Sequence, residues 1–274
     1  MTAFGNAVTD TMLLTKRNLL HYVRVPQLIA FAVIQPIMFT VLFVYVFGGA
    51  IATGVDYVNY LIPGIIVQTV VFGSMGSGIN IAEDMQKGIM DRFRSLPIAR
   101  GTVLAARTLT DTLRNALSVL IMAGVGYLMG YRFDGTLLDA AAALALCVLI
   151  GLAFSWIATF IGLMVRDTQT AEIAGFTWVF PVVFASSIFV PVESMPGWLA
   201  PIAEYNPITL AADAVRGLSL GPDGIEAVAR AAVAMGRDYD PIDVASSAAG
   251  ATLWSVGIIA VFAALAVWRF RRLA

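Results

Sequence analysis

Six intervals of this chain run for seventeen residues or more without Asp, Glu, Lys or Arg: 25–55, 57–82, 115–131, 140–165, 173–192 and 244–268. An α-helix rises about 1.5 Å per residue, so about 20 mostly apolar residues cross a hydrocarbon core about 30 Å thick. A helix bonds its own backbone polar groups and therefore survives without water. The third interval is short and is extended back toward Leu104. The predicted spans are then 28–50, 58–82, 104–131, 138–165, 172–191 and 244–268. Composition points the same way. Of 274 residues, 59% are hydrophobic and 13% charged, against about 45–50% and about 25% in average globular domains. Too few polar side chains remain to cover a water-soluble fold, which excludes a soluble enzyme and a disordered chain. A net charge of −1 leaves no basic footprint for nucleic acid. The single cysteine, Cys147, lies in an apolar run and has no partner for an intrachain disulfide.

Ala50-Ile51-Ala52 imitates a cleavage site, but secretory apolar regions run only about 7–15 residues. The first interval is much longer and follows a polar-rich stretch, so an uncleaved first span is expected. With six spans, both termini share one side. That side carries Lys16, Arg17, Arg24, Lys87, Arg92, Arg94, Arg100, Arg107, Arg166, Arg269, Arg271 and Arg272, and the other carries Arg132, Arg216, Arg230 and Arg237. The positive-inside rule places both termini in the cytoplasm. Lys16 and Lys87 stand against fifteen arginines. With the abundant alanine, that bias suggests a GC-rich bacterial genome, and hence a multi-pass protein of the bacterial cytoplasmic (plasma) membrane.

Residues 5–25 mix Val8, Met12, Leu13, Leu19 and Leu20 with Lys16, Arg17 and Arg24. This pattern predicts an amphipathic helix lying on the inner leaflet. A second inner element, 83–100, joins spans two and three. Ile89, Met90, Phe93 and Leu96 share one face at helical spacing, charges cover the rest, and Pro97 ends the helix. Such a helix either docks in a groove of a soluble partner or lies solvated against lipid. On the outer side, 192–243 separates spans five and six. Pro191, Pro196, Pro201 and Pro207 forbid a continuous helix there. With Trp198, Ile202 and Tyr205 between them, the segment reads either as a hairpin dipping back into the outer leaflet or as a proline-rich surface loop. Glu204 and Asp213 are either outer-gate groups or surface acids.

No Gly-x-x-x-x-Gly-Lys-Ser/Thr motif is present, since Lys16 precedes Arg17 and Lys87 precedes Gly88. Gly73, Gly76 and Gly78 are expected to serve close helix packing. His21, the one histidine, has no Cys or His partner, and no catalytic, cofactor or metal site is expected. Arg107, Asp111 and Arg114 sit at the start of span three, where neutralising pairs at the membrane boundary are expected. No acid is expected mid-span, which argues against a proton relay.

Two motif groups resemble one family. The loop Gly88–Arg100, with Arg92-Phe93-Arg94-Ser95-Leu96-Pro97 at its core, resembles the inner loop of ABC-2 type exporter permeases. Ser187-Ile188-Phe189-Val190-Pro191, Met195-Pro196-Gly197-Trp198-Leu199 and Asn206-Pro207 resemble that family's segment between spans five and six. The likeness in layout covers nearly the whole chain, and the daunorubicin-resistance-type subgroup is the most similar. The resemblance implies an all-α membrane protein of six transmembrane helices. An N-terminal interface helix, a cytoplasmic coupling helix and re-entrant outer helices before the last span complete that fold. It implies ATPase coupling through Glu83, Asp84, Gly88, Ile89, Met90, Arg92, Phe93, Arg94 and Leu96. It places Phe189, Pro191, Pro196, Trp198, Asn206 and Pro207 in the re-entrant segment. It also implies two copies of a cytoplasmic ABC ATPase, with ATP and Mg held there and not by this chain. A second permease subunit, identical or related, completes the complex, and export proceeds by alternating access.

Phe39, Phe43 and Phe47 recur every fourth residue in span one, and Phe176, Phe180 and Phe184 repeat the pattern in span five beside Trp178. Each stripe occupies one helix face. The stripes either line a substrate path, or form a dimer seam, or pack against lipid and neighbouring helices. Pro36, Pro63 and Pro181 are either hinges or tolerated bends. The expected function is the permease of an ATP-driven exporter of a hydrophobic drug, lipid or glycolipid. The alternatives are a stand-alone secondary transporter or channel, and an ABC-2 exporter of polysaccharide.

Overall fold

The computed structural model describes residues 12–13, 15–16, 26–49, 51, 53–88, 100–165, 167–234 and 241–273, which form helices with short connections and no strand among them. Helix α1 spans Pro26–Leu42 and continues as a π-turn, Phe43–Phe47. Then come α2 (Tyr57–Gln86), α3 (Arg100–Leu128), α4 (Leu137–Met164) and α5 (Thr168–Phe184). A 3-10 turn, Val192–Ser194, and the short α6 (Ala200–Glu204) precede α7 (Pro207–Ala234) and α8 (Val244–Leu273).

Among the described residues, three helices are long and apolar enough to cross a membrane: α2, α4 and the Val244–Phe270 part of α8. Ile34–Phe47 is a shorter apolar stretch. Helix α5 has 17 residues, and α3 carries Asp111 and Arg114 near its middle. The absence of mid-span acids is therefore overturned for α3, because Asp111 lies well inside the helix and is buried. Its charge is tolerable there because other helices, not lipid, surround it.

Helix α2 is the axis of the bundle. In its apolar window 83% of the residues are buried, against 39% in α4 and 17% in α8. A helix apolar on all sides belongs at the centre, and Leu61, Ile62, Ile65, Val67, Val70 and Val71 have no exposed surface. Where apolar surface has lipid as an equal alternative, helices associate through close packing and hydrogen bonds. Helices α2 and α4 show both. Gly78 lies against the backbone of Ala158, and Gly162 against that of Gly78. The Ser74 hydroxyl donates to the Gly151 carbonyl at 2.8 Å. Gly175 of α5 rests on Met75. Helix α8 packs along α4 and α7.

Connections are fixed locally. At α4 a capping box pairs Thr136 with Asp139, bonds of 3.2 and 2.8 Å. At α5 the Asp167 carboxylate accepts from the Thr170 N–H at 2.7 Å. Helix α7 bends at Gly221, whose φ of 65° is left-handed and suits glycine alone at low cost. Beyond the bend, Val228, Ala229 and Ala232 are buried, and Gly54 lies against the Ala227 carbonyl. Of the predicted interface helix, only 12–13 and 15–16 fall within the described residues. They are helical, and Thr15 donates to the Ala106 carbonyl of α3 at 3.3 Å.

Candidate functional site

The segment between α5 and α7 is built on an interruption. Span five was expected to reach residue 191, but α5 stops at Phe184. Ile188 then packs on Gly64, where a Cβ would stand 2.8 Å from the Ile188 carbonyl oxygen. Gly64 lies seven residues into α2, about 10 Å along its axis. Irregular backbone at such depth survives only when its polar groups find partners, and here side chains supply them. Asn206 donates from Nδ2 to the Val182 and Ala185 carbonyls, both at 2.7 Å, which takes up the end of α5. Its Oδ1 accepts from the Ile208 N–H at 2.9 Å and starts α7. The Tyr57 hydroxyl donates to the Phe189 carbonyl at 2.8 Å, and the Tyr60 hydroxyl to that of Ser187 at 3.3 Å. Thr209 Oγ1 accepts from the Ser187 N–H at 3.1 Å.

Arg216 is the hub. It is 0% exposed and the largest fully buried side chain. Its Nε donates to the Tyr60 carbonyl at 3.0 Å and Nη2 to the Ser187 carbonyl at 3.0 Å. Its Nη1 pairs with Asp213, whose carboxylate also accepts from the Ser187 hydroxyl at 2.8 Å. The guanidinium lies 3.7 Å above the Tyr60 ring. One cation thus ties α2, α7 and the irregular segment together. Removing one member of such a buried pair costs about 3–5 kcal/mol, because the other charge is stranded. The structure separates the two acids: Asp213 is a half-buried partner of Arg216 rather than a surface acid, whereas Glu204 is exposed. An Asp and an Arg three apart among Ala211, Ala212, Ala214, Val215 and Gly217 were the available sign.

The re-entrant residues divide accordingly. Phe189, Pro191 and Asn206 are buried and Pro207 half-buried, whereas Pro196 and Trp198 are exposed. Trp198, Ile202 and Tyr205 are 73%, 58% and 70% exposed.

The two phenylalanine stripes form one ladder. Phe176, Phe180 and Phe184 follow one another at ring distances of 5.8 and 5.9 Å. Phe184 meets Phe189 at 5.3 Å, Phe189 meets Phe43 at 4.3 Å, and Phe43 meets Phe47 at 5.1 Å. Phe39 touches Phe43, Phe184 and Phe189. Phe72 of α2 backs Phe176 and Phe180 at 6.0 and 5.2 Å. Phe47, Phe180 and Phe184 keep exposed edges, at 40%, 39% and 44%. Trp178 does not join them. Two residues from Phe176 it points the opposite way round the helix and stacks on Phe154 at 5.6 Å.

At the inner end, Glu83 and Asp84 lie in the last turn of α2 and Gly88 has a φ of 62°. Lys87 pairs with Glu83 on the surface, and that hydrogen bond, with the Glu83 charge, holds the Lys87 ammonium above its ordinary range. Ile89, Met90, Arg92, Phe93, Arg94 and Leu96 lie outside the described residues. About two and a half to three turns into the bundle, α2 and α3 are tied together. The Ser77 hydroxyl donates to Asp111 Oδ2 at 2.5 Å. Arg114 Nη2 donates to the Gly73 carbonyl at 2.6 Å and stands 3.7 Å from Asp111 Oδ1. Gly76 makes room, since a Cβ there would lie 2.9 Å from Arg114 Nη1. Of the three glycines assigned to helix packing, only Gly78 meets a backbone; Gly76 makes room for Arg114, and Gly73 faces the Asn115 side chain at 3.5 Å. Asp111 and Arg114 are accordingly a helix-to-helix tie rather than boundary charges, while the Arg107 side chain lies outside the described residues.

A bundle whose helices are long and apolar enough to cross a membrane is the construction of a multi-pass membrane protein. The family described as ABC-2 type transporter matches residues 9–220. The chain is 33% identical over 223 residues to the daunorubicin resistance ABC transporter permease protein DrrB1 of Streptomyces coeruleorubidus, covering 81% of this chain and 79% of that one. It is 27% identical over 216 residues to the probable doxorubicin resistance ABC transporter permease protein DrrC of Mycobacterium tuberculosis, covering 78% of each. The doxorubicin resistance ABC transporter permease protein DrrB of the same organism is 32% identical over 123 residues, 44% of this chain and 43% of that one. The chain belongs to the ABC-2 type transporter family, and it is a permease subunit that works with an ABC ATPase.

Proposed function

We propose that the chain is the transmembrane subunit of a drug exporter, moving a hydrophobic drug of the anthracycline kind, or a lipid or glycolipid, out of a bacterial cell. The observation that carries this is the joining of a 33% identical drug-resistance permease to a bundle whose outer segment is interrupted at depth and held by Arg216. The six apolar intervals are the spans, and both termini face the cytoplasm of a plasma-membrane protein. Two ATPase subunits hold ATP and Mg, and a second permease, identical or related, completes the path. The inner segment 83–100 is the ATPase contact, and Phe93 is its central apolar anchor. The exposed edges of Phe47, Phe180 and Phe184 face the second permease. Alternation at the outer side uses the 185–206 segment as its closing element.

The test is co-purification with an ABC ATPase co-expressed from the same genome, followed by ATP hydrolysis with and without daunorubicin. Stimulated hydrolysis is expected, and Phe93→Asp should leave the permease in the membrane while releasing the ATPase. Unchanged coupling in Phe93→Asp would sink the docking assignment.

A further inference from the structure

The inner tie between α2 and α3 has a position that the exporter reading does not by itself require. Helices α2 and α3 flank the 87–99 loop, so a push on that loop reaches both. Ser77 is nine residues from Gln86, and Asp111 eleven from Arg100, giving two arms of about 14 and about 16 Å. They are nearly equal, and they end at one level. There Ser77 meets Asp111 at 2.5 Å, and Arg114 closes the tie onto Gly73 at 2.6 Å. The next residue, Gly78, is where α2 touches the backbone of α4 at Ala158 and Gly162. One turn outward, Ser74 bonds the Gly151 carbonyl of the same helix, and Gly175 of α5 sits on Met75. Asp111 is 3% exposed and Ser77 0%. In so dry a place a charge-assisted bond is strong, and partial opening strands a carboxylate, so the tie is either made or broken.

We infer that the Ser77–Asp111–Arg114 tie makes α2 and α3 a single rigid lever that carries displacement of the inner loop to α4 and α5. Gly126 of α3 packs on Ile62 nearer the far end of α2; without the tie, the ends next to residues 87–99 would be free to shear, and the stroke would dissipate. Asp111 is then a positioning residue for coupling, not a substrate ligand. This rests on the reading of 83–100 as the ATPase contact.

The permease–ATPase complex tests it by spin-label distances, with Cys147→Ala as background. Gln86→Cys on α2 and Leu117→Cys on α3 are both exposed sites. Their distance should stay within a fraction of a helical turn (about 5.4 Å) between the nucleotide-free and the ATP–vanadate-trapped complex. The reference pair Leu117→Cys and Leu253→Cys, α3 to α8, should change on trapping. In Asp111→Ala the 86–117 distribution should broaden without nucleotide and shift on trapping. ATP hydrolysis should persist while daunorubicin accumulated in inverted vesicles per ATP falls at least tenfold. Asp111→Asn, which still accepts from Ser77 but carries no charge, should fall between wild type and Asp111→Ala. If Asp111→Ala does not assemble, Ser77→Ala should show the same broadening in weaker form. A wild-type 86–117 distance that moves by a turn or more overturns the lever. So does a distribution in Asp111→Ala or Ser77→Ala as narrow as wild type in both states. Intact coupling in Phe93→Asp would instead overturn the loop reading, while the nucleotide-free width would still judge the tie.

Discussion

Replacing Arg216 by methionine keeps the length and apolar volume of the side chain and removes its charge and donors. Three acceptors lose their partner: the Tyr60 and Ser187 carbonyls and the Asp213 carboxylate. The carboxylate dominates, because it stays half-buried with the Ser187 hydroxyl still donating to it but no cation beside it. Breaking a buried pair from one side costs about 3–5 kcal/mol. The two carbonyls add less: a wholly orphaned one can cost about 1–3 kcal/mol, but the Ser187 carbonyl keeps the Tyr60 hydroxyl as a donor. At about 2–4 °C per kcal/mol for a chain of this size, the unfolding midpoint should fall by about 6–20 °C. Cys147 supplies the probe. It is the only cysteine and is buried, so a thiol-reactive dye reports unfolding in detergent at a fixed heating rate. Asp213→Leu alone should also destabilise. The double variant Arg216→Met/Asp213→Leu should be more stable than the sum of the two singles implies, since no stranded charge remains. A midpoint of Arg216→Met within about 2 °C of wild type, under 1 kcal/mol on the same scale, would refute the hub. Additive losses in the double variant would do the same.

Gly78→Ala should cost about 1–3 kcal/mol, because the new Cβ meets the Ala158 backbone. Gly124→Ala on the exposed side of α3, with nothing within 4 Å, should instead stabilise by about 0.5–1 kcal/mol; equal effects of the two in the same melt would contradict the α2–α4 crossing. The Asp167 carboxyl lies below its ordinary range because the Thr170 side chain and backbone bond its charged form. Its contribution is therefore complete above the unfolded aspartate value of about 3.9 and is lost as pH falls through the lower folded one. Asp167→Asn should flatten that acid limb of midpoint against pH, and an unchanged limb would count against the cap. Phe180→Cys in a cysteine-free background should cross-link two permease copies in at least one nucleotide state if the ladder's exposed edge faces the partner; no cross-link in any state, with surface labelling intact, would remove that assignment.

The 27- and 33%-identical relatives cover about four-fifths of the chain, yet the features that organise this fold are not the ones a motif search notices. Asn206 belongs to a loose Asn-Pro motif in the sequence. In the structure it fixes where α5 ends, twenty-one residues earlier, by taking the Ala185 carbonyl. Trp178 reads as a member of an aromatic stripe, but helical geometry sends it to the core side. Phe189 reads as part of a turn and is the ring that joins α1 to α5.

The sequence by itself determined the apolar intervals, their charged flanks being plain from residue type, and so the all-helical membrane class. It did so because the cost of bare charge and bare backbone in lipid is a local, residue-by-residue quantity. The same cost explains what stayed hidden. Asp111, Arg114, Asp213 and Arg216 are charges that the linear pattern assigns to boundaries, since an ion pair three residues apart reads alike on a surface and in a core. Only the tertiary structure, by bringing Ser77 to Asp111 and Tyr60 and Ser187 to Arg216, supplies the partners that let those charges stay inside. Burial of a charge depends on neighbours distant in the chain, and those neighbours exist only once the helices have packed.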